Sequence, residues 1–229
     1  MEREITGLSS MATRQLLADL SERIGRSHGI PLRFESGGGV EIARRVRAGA
    51  EADLLVLAED ALAALAAEGR LRPGTVRPLW VSQVVAAVPV GAPAPALGTE
   101  AELRAALTAA GRIAYSTGPS GTAVLELIAR YGLTDRLDLV QAPPGVPVGS
   151  LLAAGEAALA FQQRSELAGL PGVLVLGPLP GEAAISSTFA GGVLAGAVAP
   201  ERALAVLELL ATDEASETAR ARGMAPAGR

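Results

Sequence analysis

The sequence predicts an α/β protein of two lobes, each a mixed sheet flanked by helices. Short apolar runs alternate with helical patterns along the whole chain. Small-residue turns, nearly free of charge, recur directly ahead of those helical patterns. The order of elements takes the chain into a second lobe near Trp80–Val84 and back near Gly177–Ser187. Residues 1–80 with 187–229 are therefore expected to form one lobe and 81–186 the other.

The elements follow from period and punctuation. Arg3–Leu8 reads as a strand and Ala12–Ser27 as an amphipathic helix with Leu16, Leu17, Leu20 and Ile24 inward. Pro31–Glu35 is a strand, and Val40–Ala48 a helix stopped by Gly49. Asp53–Leu57 reads as a buried strand, followed by an alanine-rich helix over Asp60–Glu68 and an exit turn at Leu71–Gly74. Leu79–Val81 opens a long apolar strand over Val84–Val90, and the proline-bearing Gly91–Gly98 is a loop. Thr99 and Glu102 form a capping box for a helix over Glu100–Ala110.

In the second lobe, Ile113–Tyr115 is a strand and Thr122–Tyr131 a helix. Leu137–Gln141 is a strand ahead of a helix over Ser150–Ala154. Ala157–Gln162, Val173–Leu176 and Ala184–Val193 are strands, with the Gly191-Gly192 pair marking close packing. Helices over Glu201–Thr212 and Asp213–Arg222 close the chain, and no internal repeat is visible.

Composition narrows the chemistry. The chain has 229 residues, 49% hydrophobic and 19% charged, so it has ample apolar material for its cores. With no cysteine and one histidine, thiolate chemistry and multi-histidine metal sites are excluded. His28 reads as a cation suited to a helix C-terminus. The net charge of -4 and scattered arginines argue against nucleic acid, and Arg44, Arg45 and Arg47 read as a solvated helix face. No apolar run approaches a membrane span. No basic stretch, apolar core or cleavage site precedes Arg3, which predicts a cytoplasmic protein; an export segment ahead of Met1 would place it in the periplasm.

The turns carry the functional signal. They are Gly7–Met11, Ser36–Gly39, Ser116–Gly121 and Pro143–Ser150. A helix start presents unpaired N–H groups and a partial positive charge, so it can hold an anion without a lysine. Gly37-Gly38-Gly39 lacks both dinucleotide spacing and a phosphate-binding lysine.

Those turns, with Arg47–Val56, Gly155–Phe161 and Arg220–Met224, resemble the type II periplasmic-binding fold and within it the molybdate-binding receptor family. The resemblance implies an anion held in a cleft between the lobes by serine hydroxyls and helix-start N–H groups. The ligand set it implies is Ser9, Ser10, Met11, Gly37, Gly38, Gly39, Ser120, Gly121, Thr122, Val146 and Pro147. To these we add Gln162 and Gln163, because Phe161–Glu166 stands where such receptors present a tyrosine hydroxyl. Three glycines also replace the family's second serine turn. Amide groups suit carboxylates and hydroxyls on a carbon skeleton better than a tetrahedral oxyanion.

The Gly7–Met11, Ser116–Gly121 and Phe161–Gln163 segments resemble a side branch of the fold, aconitate isomerase, which interconverts cis- and trans-aconitate. The implied reaction removes a proton alpha to a carboxylate and returns one at the far end of the allyl system, and it requires no cofactor. Candidate bases are Glu35, Glu41, Tyr115 and Glu166, and Arg164 could pair with a substrate carboxylate. The partner is then a small polycarboxylate, with no nucleic acid and no membrane insertion. The alternative is a molybdate or similar oxyanion receptor serving an ABC permease.

Overall fold

Strand β3 (Leu54–Ala58) is apolar almost throughout because both of its faces are covered. Leu54 and Val56 join one buried cluster while Leu55 and Leu57 join another, as the two-residue period of a strand requires. The computed structural model describes residues 3–228. One unit holds the described residues up to Ser82 and those from Ser187 on; the other is Gln83–Ser186.

In the first unit β1 (Ile5–Ser10) pairs in parallel with β2 (Leu32–Gly37) and with β3. Strand β9 (Ser186–Val193) lies antiparallel to β3 and beside β4 (Arg77–Pro89), and β10 (Ala225–Pro226) is antiparallel to β4. On one face pack α1 (Arg14–His28), α8 (Pro200–Leu210) and α9 (Asp213–Ala221), through Leu16, Leu17, Leu20, Val206 and Ala219. Trp80 is fully buried in this layer. On the other face lie α2 (Gly39–Arg47) and α3 (Glu59–Ala67), through Ile42, Val46, Leu62 and Leu65. Gly191 and Gly192 serve the two faces in turn: a Cβ would lie 2.7 Å from Leu207 at the first and 2.6 Å from Leu71 at the second. The expectation of close packing there is met.

In the second unit β5 (Arg112–Tyr115) is parallel to β6 (Asp138–Gln141) and to β7 (Leu159–Gln163). The C-terminal part of β4 pairs antiparallel with β7 and with β8 (Val173–Pro178). One face carries α4 (Glu100–Ala109) and α5 (Pro119–Arg130); the other carries α6 (Gly149–Ala153) and α7 (Arg164–Leu167). The capping box at Thr99 and Glu102 is present, with both reciprocal bonds formed.

The order β2-β1-β3-β9 of the first unit recurs in the second as β6-β5-β7-β4, with the last strand antiparallel in both. This topological repeat has no counterpart in the sequence. Strand order depends on the pattern of apolar positions and the handedness of crossovers, so unrelated side chains can build it twice. Two expectations need correction. Strand β4 is unbroken from Arg77, and α5 starts at Pro119 rather than Thr122, because proline suits the first helical position. Among the described residues no helix is long and apolar enough to cross a membrane.

Candidate functional site

In open α/β sheets ligands gather at the carboxyl ends of parallel strands, where the chain turns into helices. In the first unit those ends are Ser9-Ser10 of β1 and Ser36-Gly37 of β2, held side by side by the register Ser9↔Ser36 and Ser10↔Gly37. The Ser9 and Ser36 hydroxyls lie 2.7 Å apart in a hydrogen bond. Ser10 precedes a short 3-10 turn (Met11–Thr13) that leads into α1, and its hydroxyl makes no capping bond. That Oγ is buried, in a residue only 7% exposed, and has no hydrogen-bond partner among the described residues. A buried polar atom left in this state ordinarily belongs to a ligand, ion or water.

Gly38 and Gly39 open α2 with ordinary negative φ, and nothing lies within 4 Å of where a Cβ would stand. Neither backbone conformation nor packing requires glycine here. The bare backbone instead leaves the helix-start N–H groups open to close approach. Met11, half-buried, and Gly37, packed against Ile42, complete this group.

The acids are distributed to match. Helices α3, α4, α8 and α9 each carry Asp or Glu in the first turn, as the helix dipole favours. Helices α1, α5 and α6, which follow β1, β5 and β6, carry none. The exception among the starts expected to face an anion is α2, which follows β2 and carries Glu41 in its first turn, paired with Arg44.

In the second unit the Ser120 hydroxyl bonds that of Ser116 at 2.9 Å, and Ser120 is buried. Gly121 and Thr122, assigned by sequence to the anion, donate their N–H groups to the Gly118 carbonyl at 2.9 and 3.2 Å. Val146 donates to the Pro143 carbonyl at 3.0 Å, and Pro147 has no N–H to offer. The early start of α5 and the tight turn after β6 thus commit these donors internally. Gly121 is required for packing: a Cβ would lie 1.8 Å from the Ser116 carbonyl oxygen. Gly121→Ala is expected to lower stability by about 1–3 kcal/mol, an overpacking cost. Gly39→Ala should leave it within about 0.5 kcal/mol. Urea melts of the two variants check the contrast.

Gln162 and Gln163 end β7 with buried side chains. The Gln162 carbonyl oxygen accepts the Val148 N–H at 2.8 Å, and its amide nitrogen donates to Glu166 at 2.7 Å. Gln162 therefore braces the start of α6 against the α7 carboxylate. Gln163 forms a ladder pair with Val84.

The candidate bases separate. Glu35 receives Arg45 in bidentate fashion at 2.6 and 3.0 Å, and Glu41 receives Arg44 at 2.9 and 2.7 Å. In each case the guanidinium hydrogen bond is the main cause that lowers the carboxyl pKa, which weakens it as a base. Arg47 likewise pairs with Glu68, so the basic cluster is a paired helix face, as expected. Tyr115 stands half-buried at the end of β5, and Glu166 half-buried on α7 with Arg164 exposed beside it. His28 is exposed at the last position of α1, ahead of Gly29. Sequence reasoning missed Ser36 and Ser116 as hydroxyl partners. The Ser116/Ser120 spacing was a legible signal, whereas Ser36 becomes significant only through strand register.

A family model described as bacterial extracellular solute-binding protein matches residues 5–225. The aconitate isomerase of a Pseudomonas species is 30% identical over 187 residues, covering 81% of this chain and 71% of that protein. The periplasmic molybdate-binding protein of Azotobacter vinelandii superposes with a TM-score of 0.81 at 17% identity, covering 98% of this chain and 100% of that one. The tungstate-binding protein of Desulfovibrio alaskensis does so with a TM-score of 0.71 at 16% identity, over 100% of both chains. At these identities the structural likeness establishes the type II periplasmic-binding fold alone.

Proposed function

The chain belongs to the bacterial extracellular solute-binding protein family, and from that premise we propose that it binds a small polycarboxylate and isomerises it by allylic proton transfer. The observation that carries this reading is the 30% identity to aconitate isomerase across 81% of the chain. The contacts we propose for the ligand are the N–H groups and hydroxyls at the ends of β1 and β2. Charge that develops on carboxylate oxygens as the proton leaves meets donors already oriented toward it, an arrangement worth several kcal/mol in other enzymes. Glu166, bonded by Gln162, is the base we propose, and Tyr115 at the end of β5 is the acid we propose to return a proton. A carboxylate accepts a proton and a phenol offers one. A cytoplasmic location goes with this reading.

A second reading is favoured by the molybdate- and tungstate-binding proteins that share the fold. It makes the chain a periplasmic oxyanion receptor that hands its ligand to an ABC permease. Incubation with trans-aconitate in deuterated buffer, followed by proton NMR, separates the two. Conversion to the cis isomer with solvent deuterium in the product is the expected result. No conversion and no exchange, with a melting shift from molybdate and none from tricarballylate, would overturn it in favour of the receptor. A ligand at one hundred times its dissociation constant adds about 2.7 kcal/mol to stability, so the melting shift is easily read.

A further inference from the structure

Arg14 is the first α-helical residue after the Ser10 turn, and it is exposed. The first turn of a helix disfavours a cation, and no acid in that turn offsets the charge. Several arginines of the unit have found carboxylates, Arg33 with Glu4, Arg44 with Glu41, Arg45 with Glu35 and Arg47 with Glu68 among them, whereas the exposed Arg70 and Arg72 form no ion pair among the described residues. Among the described residues Arg14 forms no ion pair. Helical side chains lean toward the N-terminus and cover the preceding turn, and residues four apart share a face. Arg14 therefore leans toward the 3-10 turn that follows Ser10, whose buried hydroxyl has no partner among the described residues. A cation in an unfavourable place and an orphaned hydroxyl one turn earlier in the chain call for the same thing, an anion.

We infer that Arg14 is the charge-selecting contact of the first unit, pairing with a carboxylate of the ligand while Ser10 and the neighbouring N–H groups hold the same group. The inference rests on the polycarboxylate reading and adds to it the residue that sets charge preference. An oxyanion enclosed only by dipoles has no use for a fixed cation. A tricarboxylate brings enough negative charge to need one.

The test is titration calorimetry of the full chain with tricarballylate, a saturated tricarboxylate that cannot turn over. Arg14→Gln is expected to weaken binding about 10- to 100-fold, the loss of one charge-assisted pair. Its ligand-free melting temperature should be unchanged, and Arg14→Lys should restore part of the affinity. Arg70→Gln, a change at an exposed arginine after α3 in the same unit, controls for net charge and should shift affinity less than about twofold at physiological salt. Wild-type binding with Arg14→Gln equally tight overturns the Arg14 contact and leaves the function reading standing. Equal losses in Arg14→Gln and Arg70→Gln also overturn it, since they indicate long-range charge. If wild type binds neither tricarballylate nor trans-aconitate, the function reading fails and the Arg14 inference fails with it.

Discussion

Asp53→Ala is expected to remove about 3–5 kcal/mol of folding stability, a large share of the 5–15 kcal/mol usual for a native protein. Asp53 is 1% exposed and meets no cation among the described residues; its carboxylate is satisfied by donors from two distant segments. One oxygen accepts from the Thr6 N–H at 3.1 Å, and the other from the Val198 and Ala199 N–H groups at 3.0 and 3.2 Å. The latter pair stands at the start of α8, so Asp53 caps that helix from another part of the chain. Truncation leaves part-buried donors without their acceptor on both sides at once. Asp53→Asn keeps the shape but replaces one accepting oxygen with a donor, and it should cost roughly half as much. Urea unfolding at neutral pH, with the denaturant slope checked for constancy, measures both. A loss below about 1 kcal/mol for the alanine variant would mean that water replaces the carboxylate without penalty, contrary to this account.

That role was not legible in the sequence, although Asp53 itself was conspicuous. It stands ahead of an apolar run, and the run was easily read as a strand from its composition and period. Which donors its carboxylate meets depends on Val198, 145 positions away. The same limit applies to Glu35 and Arg45, whose pairing turns a candidate base into a weak one, and to Ser9 with Ser36. Contacts of this kind are set by strand register and helix docking, which no local pattern encodes. Local chemistry was far more legible. The capping box at Thr99, the glycine stop at Gly49 and the packing glycines at Gly191 and Gly192 each follow from constraints within a few residues or from the absence of a side chain.

At the candidate site the positions of the turns were readable, because small residues between a strand and a helix have few other uses. Which donors remain for a ligand was not. Pro119 moved the start of α5 and gave the Gly121 and Thr122 N–H groups to Gly118, while the openness of Gly38 and Gly39 appears only once neighbours are in place. The absence of acids from the first turns of α1, α5 and α6 was present in the sequence all along. The contrast is with the acidic first turns of α2, α3, α4, α7, α8 and α9, and α2 shows that it does not follow the expected ligand turns one for one.

On the proposed isomerase reading, Glu166→Gln is expected to lower the isomerisation rate about 10²- to 10⁴-fold, the usual worth of a positioned general base. The substitution is nearly isosteric, and Gln162 at 2.7 Å can still bond the amide oxygen of the new residue, so the fold should persist. The loss should fall on kcat, with tricarballylate affinity little changed, because the proton acceptor matters once the proton begins to move. Deuterium exchange into trans-aconitate should fall in parallel with isomerisation, since both begin with the same abstraction. Gln162→Leu provides the companion measurement: it removes the brace on Glu166 together with the acceptor of the Val148 N–H, and should lower kcat less than Glu166→Gln while also lowering stability. If exchange survives in Glu166→Gln while net isomerisation stops, abstraction lies with another group and Glu166 serves the return of the proton. Tyr115→Phe would then be the variant that loses exchange.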